Sequence, residues 1–278
     1  MEERELLVRY LTEKAKEIRL EVIKMIHQAQ SGHPGGSLSA ADLVAALYFH
    51  ELKLDPSKPD WPDRDRFILS KGHACPVLYA ALCLRGYFEK HVLGNLRAFG
   101  SPLQGHPDMK KTPGLDATTG SLGQGLSIGV GMAIGALMSR RKSRIFVLMG
   151  DGELNEGQVW EAALSAAKYR LGNLVVIVDK NGLQNDGRTE DIMPMGVIED
   201  KWRAFDWRTR AIDGHNFYEI LDALEWASME CECPSVIIAN TVKGRGVSFM
   251  ENEVTWHSGA ISGSQLEQAI AELEGKWS

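Results

Sequence analysis

The sequence predicts a doubly wound α/β fold, in which a mostly parallel sheet carries helices on both faces. Its apolar runs lack alternation between apolar and polar residues, which suits strands that are covered on both sides. These runs alternate along the chain with segments that show the helical period, which is the pattern of parallel α/β units. No internal repeat, low-complexity stretch or linker interrupts the pattern, so we expect a single domain over residues 1–278.

The N-terminal part is expected to be helical. Apolar residues recur with a 3.6-residue period between residues 3 and 30, which predicts a long amphipathic helix. The Gly- and Pro-rich stretch 31–37 predicts a loop. Ser39 is then expected to cap a second helix over residues 40–52, with Asp42 in its first turn.

A first strand is predicted at 66–70, followed by a glycine turn at 71–73 and a helix through Leu84. Residues 94–121 show neither the helical nor the strand period, so we expect a long irregular segment. A loop of this length inside a compact domain is usually functional. The glycine-rich segment 122–140 predicts a helix. Because glycine costs a solvated helix about 1 kcal/mol per residue relative to Ala, we expect this helix to be buried on several sides and close to another backbone.

The next two strands end in turns that could bind a ligand. One apolar run ends on Gly150-Asp151-Gly152, and a second, from Leu174, ends on an Asp-Lys-Asn-Gly turn that contains Asn181. Asp151 and Asn181 are separated by roughly the 30 residues of one strand–helix–strand unit. If the two strands are parallel neighbours, their carboxyl ends lie side by side, where open α/β sheets bind ligands.

The C-terminal part predicts two further strands and two helices. We expect strands at 208–212 and 235–239, the latter followed by a glycine turn at 243–246. Helices are predicted over residues 217–231 and 262–275.

Asp151 and Asn181 are candidate ligands of one metal ion. Mg²⁺ prefers oxygen ligands and takes few of them from protein, the others coming from phosphates and water. The backbone carbonyl of Leu183 could add a third, and the glycines at 150 and 152 would let diphosphate oxygens approach the backbone closely. Asp-Gly and Asn-Gly are also common turn formers, so an ordinary pair of turns stays open at this point.

Glycine-bounded or tryptophan-bounded loops also contain five histidines, namely His33, His73, His106, His215 and His257. Uncharged imidazoles can donate, accept and shuttle protons near neutral pH, which would suit a polyhydroxylated substrate. Surface positions are the alternative. The spacing of these histidines is not that of a zinc motif.

Composition and motifs exclude several classes of protein. The formal net charge of −6 gives no basic footprint for nucleic acid. No apolar run approaches the ~18 residues of a membrane span, and the acidic N-terminus lacks a signal-peptide pattern, so we expect a cytoplasmic protein. Residues 119–125 do not follow a strand as a Rossmann fingerprint would, and a P-loop is absent. The four cysteines, at positions 75, 83, 231 and 233, are expected to be reduced thiols in or near the core.

Several long motifs in one order give the chain a resemblance to the transketolase family over almost its whole length. These motifs are Ser31-Gly-His-Pro-Gly-Gly-Ser37, Ser70-Lys-Gly-His-Ala74, Gly105-His-Pro107, Thr118-Thr-Gly-Ser-Leu-Gly-Gln-Gly125, Gly150-Asp-Gly-Glu-Leu-Asn-Glu-Gly157 and Lys243-Gly-Arg-Gly-Val-Ser-Phe-Met-Glu-Asn252 with Trp256-His257. Gly-Asp-Gly followed by Asn resembles the thiamine diphosphate motif of a wider superfamily. The histidine loops narrow the resemblance to transketolases.

The resemblance implies a thiamine diphosphate-binding fold of the diphosphate (PP) type, with roles for particular residues. The Mg²⁺ ligands would be Asp151, Asn181 and the Leu183 carbonyl, with Ca²⁺ or Mn²⁺ as substitutes. The cofactor would be contacted by His73, Ser121, Leu122, Gly123, Gly152, Glu153 and Asn181. The catalytic histidines of the substrate channel would be His33, His106 and His257. Glu156 would lie where two cofactor-binding halves meet.

The implied reaction is transfer of a two-carbon ketol unit from a ketose phosphate to an aldose, as in the pentose phosphate pathway. Single-chain transketolases carry further domains, one with the glutamate that activates the aminopyrimidine, whereas this sequence ends at Ser278. We therefore expect activity only with a C-terminal partner subunit that carries the pyrimidine-binding domain, in an α2β2 heterotetramer. The alternatives are the α subunit of a 2-oxo acid dehydrogenase, a 1-deoxyxylulose-phosphate synthase, and a non-catalytic cofactor-binding module.

Overall fold

The computed structural model describes residues 1–229 and 232–276, and it confirms the parallel sheet. The five strands are β1 (Arg66–Leu69), β2 (Ile145–Gly150), β3 (Leu174–Lys180), β4 (Arg208–Asp213) and β5 (Ser235–Asn240). They lie in the order β1-β2-β3-β5-β4, and every pair is parallel. Gly150, the last residue of β2, pairs with Asp179 of β3, so the two predicted turns do begin side by side.

Helices connect these strands and precede and follow them. They are α1 (Glu2–Ala29), α2 (Pro34–Ser39), α3 (Ala41–Ala46), α4 (Cys75–Arg85), α5 (Gln124–Met138), α6 (Gly157–Lys168), α7 (Thr189–Ile192), α8 (Ile198–Ala204), α9 (Phe217–Ser228) and α10 (Gly263–Leu273). A π-helical turn, Leu47–Glu51, continues α3. The predicted end of α9 at Cys231 lies outside the described residues. Within those residues, no helix combines the length and the apolar composition that a membrane crossing requires.

The sheet has a hydrophobic core on each face, which confirms the doubly wound architecture. Alternate residues of β2 divide between the two cores: Phe146 and Leu148 pack with the helices α1, α3, α4, α9 and α10, whereas Ile145 and Val147 pack with α5, α6 and α8. Neither face of a central strand meets water, and such strands need no polar residues. This burial is the physical origin of the unbroken apolar runs in the sequence.

The predicted loop at 31–37 is confirmed only for residues 31–33, and the predicted cap at Ser39 is wrong. Pro34 begins helix α2, where its missing N–H and fixed φ suit the first turn. All of α2 is buried, and a Cβ on Gly35 would lie 2.7 Å from the Trp256 carbonyl oxygen, so the glycines allow close packing. Ser39 ends α2 and donates its hydroxyl to Asp179 at 2.6 Å; it caps nothing.

The predicted close approach of the α5 glycines holds at two positions. A Cβ on Gly125 would lie 2.3 Å from Ser70 Oγ, and one on Gly129 would lie 2.7 Å from Val147. Gly131 and Gly135 are exposed and face open space, so the expectation is wrong for them. Helix α5 packs against the sheet and α6, and the side that carries these two glycines stays open.

Candidate functional site

A cavity of about 230 Å³ opens at the carboxyl ends of β2 and β3, at the edge of the sheet that the sequence predicts. Its walls come from the ends of those strands and from the loops that follow β1, β3 and β5. The residues that line it are Gly36, Lys71, His73, Leu122, Gly150, Asp151, Gly152, Glu153, Asn181, Leu183, Gln184, Asn185, Asp186, Ile192, Lys243 and His257. The predicted residues Asp151, Asn181 and Leu183 therefore share one cavity with His73 and His257.

Asp151 is an acidic residue that the fold has buried, with 3% of its surface exposed. Its carboxylate accepts the N–H groups of Gly182 at 2.7 Å and Gly152 at 2.9 Å, and the Thr189 hydroxyl at 3.2 Å. Burial, followed by the negative charge of Asp179, raises the pKa of Asp151 above its ordinary value despite these hydrogen bonds. A cation beside the carboxylate would offset both unfavourable effects.

Asn181 is oriented by its neighbours on the same turn. Its Nδ2 donates to Asp179 at 3.3 Å, and its Oδ1 accepts the N–H of Leu183 at 3.2 Å. The Leu183 carbonyl in turn accepts a hydrogen bond from Lys243 Nζ at 2.9 Å. Among the described residues, no three His, Cys, Asp or Glu side chains gather as a metal cluster. A site here would depend instead on one carboxylate, one amide and one carbonyl.

Beneath the cavity lies a buried ion pair between Lys71 and Asp179, whose side chains are 3% and 0% exposed. Lys71 also donates to the Gly36 carbonyl at 2.7 Å. Asp179 accepts hydrogen bonds from the hydroxyls of Ser39 and Thr241 as well. Although burial alone would raise the pKa of Asp179, the Lys71 charge and these hydrogen bonds hold it below the ordinary value.

Lys243 is a second buried cation, with 2% of its surface exposed. Its Nζ lies 2.9 Å from the Leu183 carbonyl, 3.2 Å from the Gln184 carbonyl and 2.9 Å from His257 Nδ1. Burial, and then repulsion by Lys71, lower the pKa of Lys243 to about 8. Neither lysine is among the site residues predicted from the sequence. Each follows a strand at the edge of the sheet that binds ligands, and this position was the available signal.

Glu153, predicted to contact a cofactor, lines the cavity, yet its carboxylate is occupied by the protein. It accepts the N–H groups of Gly123 at 2.8 Å and Gly150 at 3.2 Å, and it also bonds to the Ser70 hydroxyl. Burial raises its pKa above the ordinary value. Glu153 thus ties together the ends of β1 and β2 and the loop before α5.

Three of the predicted histidines form one cluster. The ring centroids of His33 and His73 are 5.0 Å apart, those of His73 and His257 5.1 Å, and those of His33 and His257 5.5 Å. Burial is the main reason that the pKa values fall, to about 4 for His33 and His257 and about 2 for His73. Nearby positive charges add to this effect. Arg97 lowers the pKa of His33, Lys243 that of His257 and Lys71 that of His73. The cluster is therefore uncharged at neutral pH.

His106 and Ser121 are exposed and do not line the cavity. The His106 ring packs on Gly120, where a Cβ would lie 3.3 Å away, and burial together with the charge of Arg97 lowers its pKa. Arg97, which no sequence motif singles out, donates to Ser31 Oγ at 2.9 Å and lies 3.5 Å from His33 Nδ1. His106 and Arg97 thus stand at the rim, on the His33 side of the cluster.

The uncharged histidine cluster should make the stability of the chain sensitive to mild acid. The unfolded chain gains protons on these rings as the pH falls through about 6.5, whereas the folded chain gains them only near pH 4. Their contribution to stability is therefore complete above pH 6.5 and lost as the pH falls toward 4. Between pH 7.5 and 5.0, the free energy of unfolding in urea should fall by about 1–2 kcal/mol more for the wild type than for a His33→Asn/His257→Asn variant, after allowance for partial exposure.

His91→Asn is the matched control, because His91 is exposed on the surface and should leave the pH dependence as in the wild type. An equal loss of stability in the wild type and in the double variant would show that the cluster titrates in the folded chain as it does in the unfolded one. The pKa assignments would then be wrong.

Comparisons with known proteins show the family of the chain. Residues 11–276 match the family model described as the transketolase thiamine diphosphate binding domain. The chain is 47% identical over 264 residues to the 6-deoxy-6-sulfo-D-fructose transketolase subunit of Clostridium sp. (strain MSTE9), covering 95% of this chain and 96% of that relative. It is 40% identical to an apulose-4-phosphate transketolase subunit from Phocaeicola vulgatus, covering 92% of this chain and 90% of that relative.

Longer transketolases match over the same region. The human transketolase is 39% identical over 264 residues, but this chain spans only 42% of its length. The crystal structure of a Campylobacter jejuni transketolase superimposes with a TM-score of 0.91 at 32% identity, covering 96% of this chain and 43% of that one. The chain thus belongs to the transketolase family, and its match to relatives of its own length identifies it as the subunit that carries the thiamine diphosphate-binding domain.

Proposed function

We propose that this chain holds the Mg²⁺-bound diphosphate of thiamine diphosphate for a ketol transfer that it performs together with a second subunit. The observation that carries the proposal is the one cavity that Asp151, Asn181 and Leu183 line together beside the histidine cluster. Oxygen donors, buried cations and uncharged imidazoles are brought together at one edge of the sheet. Each group suits a different part of this reaction.

The donors fit a hard divalent cation. Asp151 and Asn181 supply a carboxylate and an amide oxygen, and the Leu183 carbonyl, which accepts a hydrogen bond from Lys243 with one lone pair, has a second lone pair for a metal. Mg²⁺ commonly takes one or two carboxylates and completes its shell with water and phosphate oxygens. The raised pKa of Asp151 supports the same assignment, because the folded chain places a carboxylate where it lacks a cationic partner. Ca²⁺ and Mn²⁺ have the same preference for oxygen and are proposed as substitutes.

The cavity also suits a diphosphate. Gly152 borders it, and a Cβ there would lie 2.7 Å from the Gln184 side chain, so a larger residue at this position would force Gln184 to shift. Lys243 adds a positive charge to the lining, and His73 can donate from its ring. Leu122 also lines the cavity, next to Gly123, whose N–H donates to Glu153 at 2.8 Å.

When bound, thiamine diphosphate supplies the carbanion chemistry of the transfer. The chain's own part is to hold and move protons. Because His33 and His257 are uncharged at neutral pH, each ring has one N–H and one lone pair. The lone pair on His257 Nδ1 accepts a hydrogen bond from Lys243, which assigns the N–H to Nε2, where it can donate to a substrate hydroxyl. His33 can pass a proton to or from a hydroxyl. His106, at the rim, would bind hydroxyls farther along the channel.

The names of two relatives support our proposal for the partner and the substrates. Two relatives of similar length are named as transketolase subunits, which supports a separate partner chain. We propose that this partner carries the pyrimidine-binding domain and its activating glutamate, in an α2β2 assembly, with Glu156 near the junction. One of those names includes a sulfonated fructose and the other a phosphorylated sugar, so we propose a ketose with an anionic group as donor. The pentose phosphate pathway and a cytoplasmic location stay predictions from the sequence.

Reconstitution tests the proposal. The purified chain should show no measurable ketol transfer alone, and activity should appear when a C-terminal transketolase subunit that carries the pyrimidine-binding domain is added with thiamine diphosphate and Mg²⁺. Removal of the metal with a chelator should abolish that activity, and added Mg²⁺ should restore it. Ketol transfer by the chain alone, or a complex whose activity survives chelation, would contradict the proposal.

A further inference from the structure

The fifth loop histidine, His215, lies outside the histidine cluster and takes part in a different network. It follows β4, and its side chain is 10% exposed. Its Nδ1 lies 2.6 Å from Asp42 Oδ2, and its Nε2 accepts the backbone N–H of Val242 at 2.8 Å. The ring therefore bridges helix α3 and the segment after β5.

The partners of His215 determine where its proton resides. A backbone N–H can only donate, so the Nε2 that faces Val242 must be the acceptor. Nδ1 then carries the proton and donates it to Asp42. Asp42 is held in turn by Arg19, whose two terminal nitrogens lie 2.9 and 2.6 Å from its two oxygens. Although burial alone would raise the pKa of Asp42, the Arg19 charge and the bonds from His215 and Arg19 lower it to about 2.

Val242 immediately precedes Lys243, so the His215 bond fixes the backbone from which the Lys243 side chain starts. On the other side of Lys243, the N–H of Gly244 donates to the Gly35 carbonyl at 3.0 Å. Lys243 is thus anchored at both flanking residues, one anchor in α2 and the other at His215. This backbone aims Nζ at the Leu183 carbonyl and at His257, 2.9 Å from each.

We infer that His215 is a positioning residue, which sets the place of the Lys243 ammonium in the cofactor cavity from a distance. The inference rests on the proposed function, in which Lys243 binds the diphosphate. In this inference, the hydrogen bond from Val242 to His215 contributes to cofactor binding. A purely structural histidine would only hold the loop after β4 against Asp42.

Two substitutions separate these roles. In His215→Asn the amide nitrogen stands near the position of Nδ1, so the bond to Asp42 can persist while Val242 loses its acceptor. In His215→Gln the amide oxygen reaches the position of Nε2 and can accept from Val242. We expect His215→Asn to weaken the affinity for thiamine diphosphate by about 10-fold, the lower end of what the loss of an outer-shell partner costs a site. We expect His215→Gln to keep most of the wild-type affinity.

A double-mutant cycle with Lys243→Met is the decisive experiment. The dissociation constant of thiamine diphosphate in the presence of Mg²⁺ is measured by calorimetry for the full chain and its variants, with circular dichroism to verify folding. If His215 acts through Lys243, His215→Asn should change the affinity by less than about 2-fold in the Lys243→Met background, because coupled residues are not additive. If His215→Asn fails to fold, His215→Gln still tests the inference, because a large loss of affinity in His215→Gln would contradict it.

An additive cycle, or equal weakening by Asn and Gln, would overturn the role of His215 while leaving the cofactor site intact. Absence of any thiamine diphosphate binding by the wild type, or unchanged binding in Lys243→Met alone, would instead contradict the proposed function, and this inference with it.

Discussion

Replacing Asp151 with Asn should remove Mg²⁺-dependent binding of thiamine diphosphate. The change keeps the size of the side chain but removes the charge that a divalent cation needs, and it turns one oxygen into an N–H donor. Loss of an outer-shell partner already costs a metal site about 10–100-fold in affinity, so loss of this ligand should cost at least ~100-fold. Calorimetry with and without Mg²⁺ measures the affinity of the variant for thiamine diphosphate. The residual affinity should no longer depend on the metal.

Asp200→Asn is the matched control, because Asp200 is exposed on α8 and pairs only with the neighbouring Arg203. It should bind the cofactor as the wild type does. Folding of the Asp151 variant should survive, since a buried carboxylate with a raised pKa gains little from its charge in the absence of a cation. Metal-dependent binding equal to that of the wild type in Asp151→Asn would exclude Asp151 as a ligand.

Replacing Lys71 with Met should destabilise the chain by about 3–5 kcal/mol, the usual cost of removing one member of a buried ion pair. The change leaves the fully buried Asp179 carboxylate with hydroxyl and amide donors but without its cation. A Lys71→Met/Asp179→Leu variant removes both charges and should recover part of that loss. Urea unfolding at pH 7 measures all three chains.

Lys142→Met serves as the control, because Lys142 is exposed and should change stability by no more than about 0.5 kcal/mol. The low pKa of Asp179 also gives the effect a pH dependence. Its stabilisation is present above the unfolded pKa of about 3.9 and disappears as the pH falls through the lower, folded value. A loss below about 1 kcal/mol in Lys71→Met at pH 7 would mean that the pair does not hold the floor of the site.

The strands and the edge of the sheet that binds ligands are predictable because burial on both faces leaves a direct trace in the sequence. A central strand such as β3 must be apolar on both sides, so its end is marked by the first polar residues, Asp179 to Asn181. Two such ends about 30 residues apart indicate adjacent parallel strands. The sequence alone therefore predicts that Asp151 and Asn181, which supply oxygen donors of the site, lie close together.

Helix α2 and the lysines are not predictable from local patterns, for different reasons. Gly35 and Gly36 look like helix breakers, and only their burial against the segment around Trp256 shows why a helix tolerates them. Lys71 looks like a solvated residue of a turn, since nothing near it in sequence reveals its partner Asp179 more than 100 positions later. Serine favours the cap position, which is the local interpretation of Ser39, but its hydroxyl serves the same distant carboxylate.

The histidines show where a pattern stops being informative. Five loops carry a histidine in similar local settings, and the structure separates them into a cluster of three, a rim residue and His215. Their roles depend on which loops meet at the sheet edge, and that information lies in the order of the strands.

The most direct measurement is anomalous diffraction from crystals of the full chain grown with Mn²⁺ and thiamine diphosphate. We predict one anomalous peak in the cavity, at about 2.0–2.3 Å from an Asp151 carboxylate oxygen, Asn181 Oδ1 and the Leu183 carbonyl oxygen, with diphosphate oxygens completing the shell. A diphosphate bound with its metal away from Asp151, or a metal peak elsewhere on the chain with the cavity empty, would contradict the proposed site.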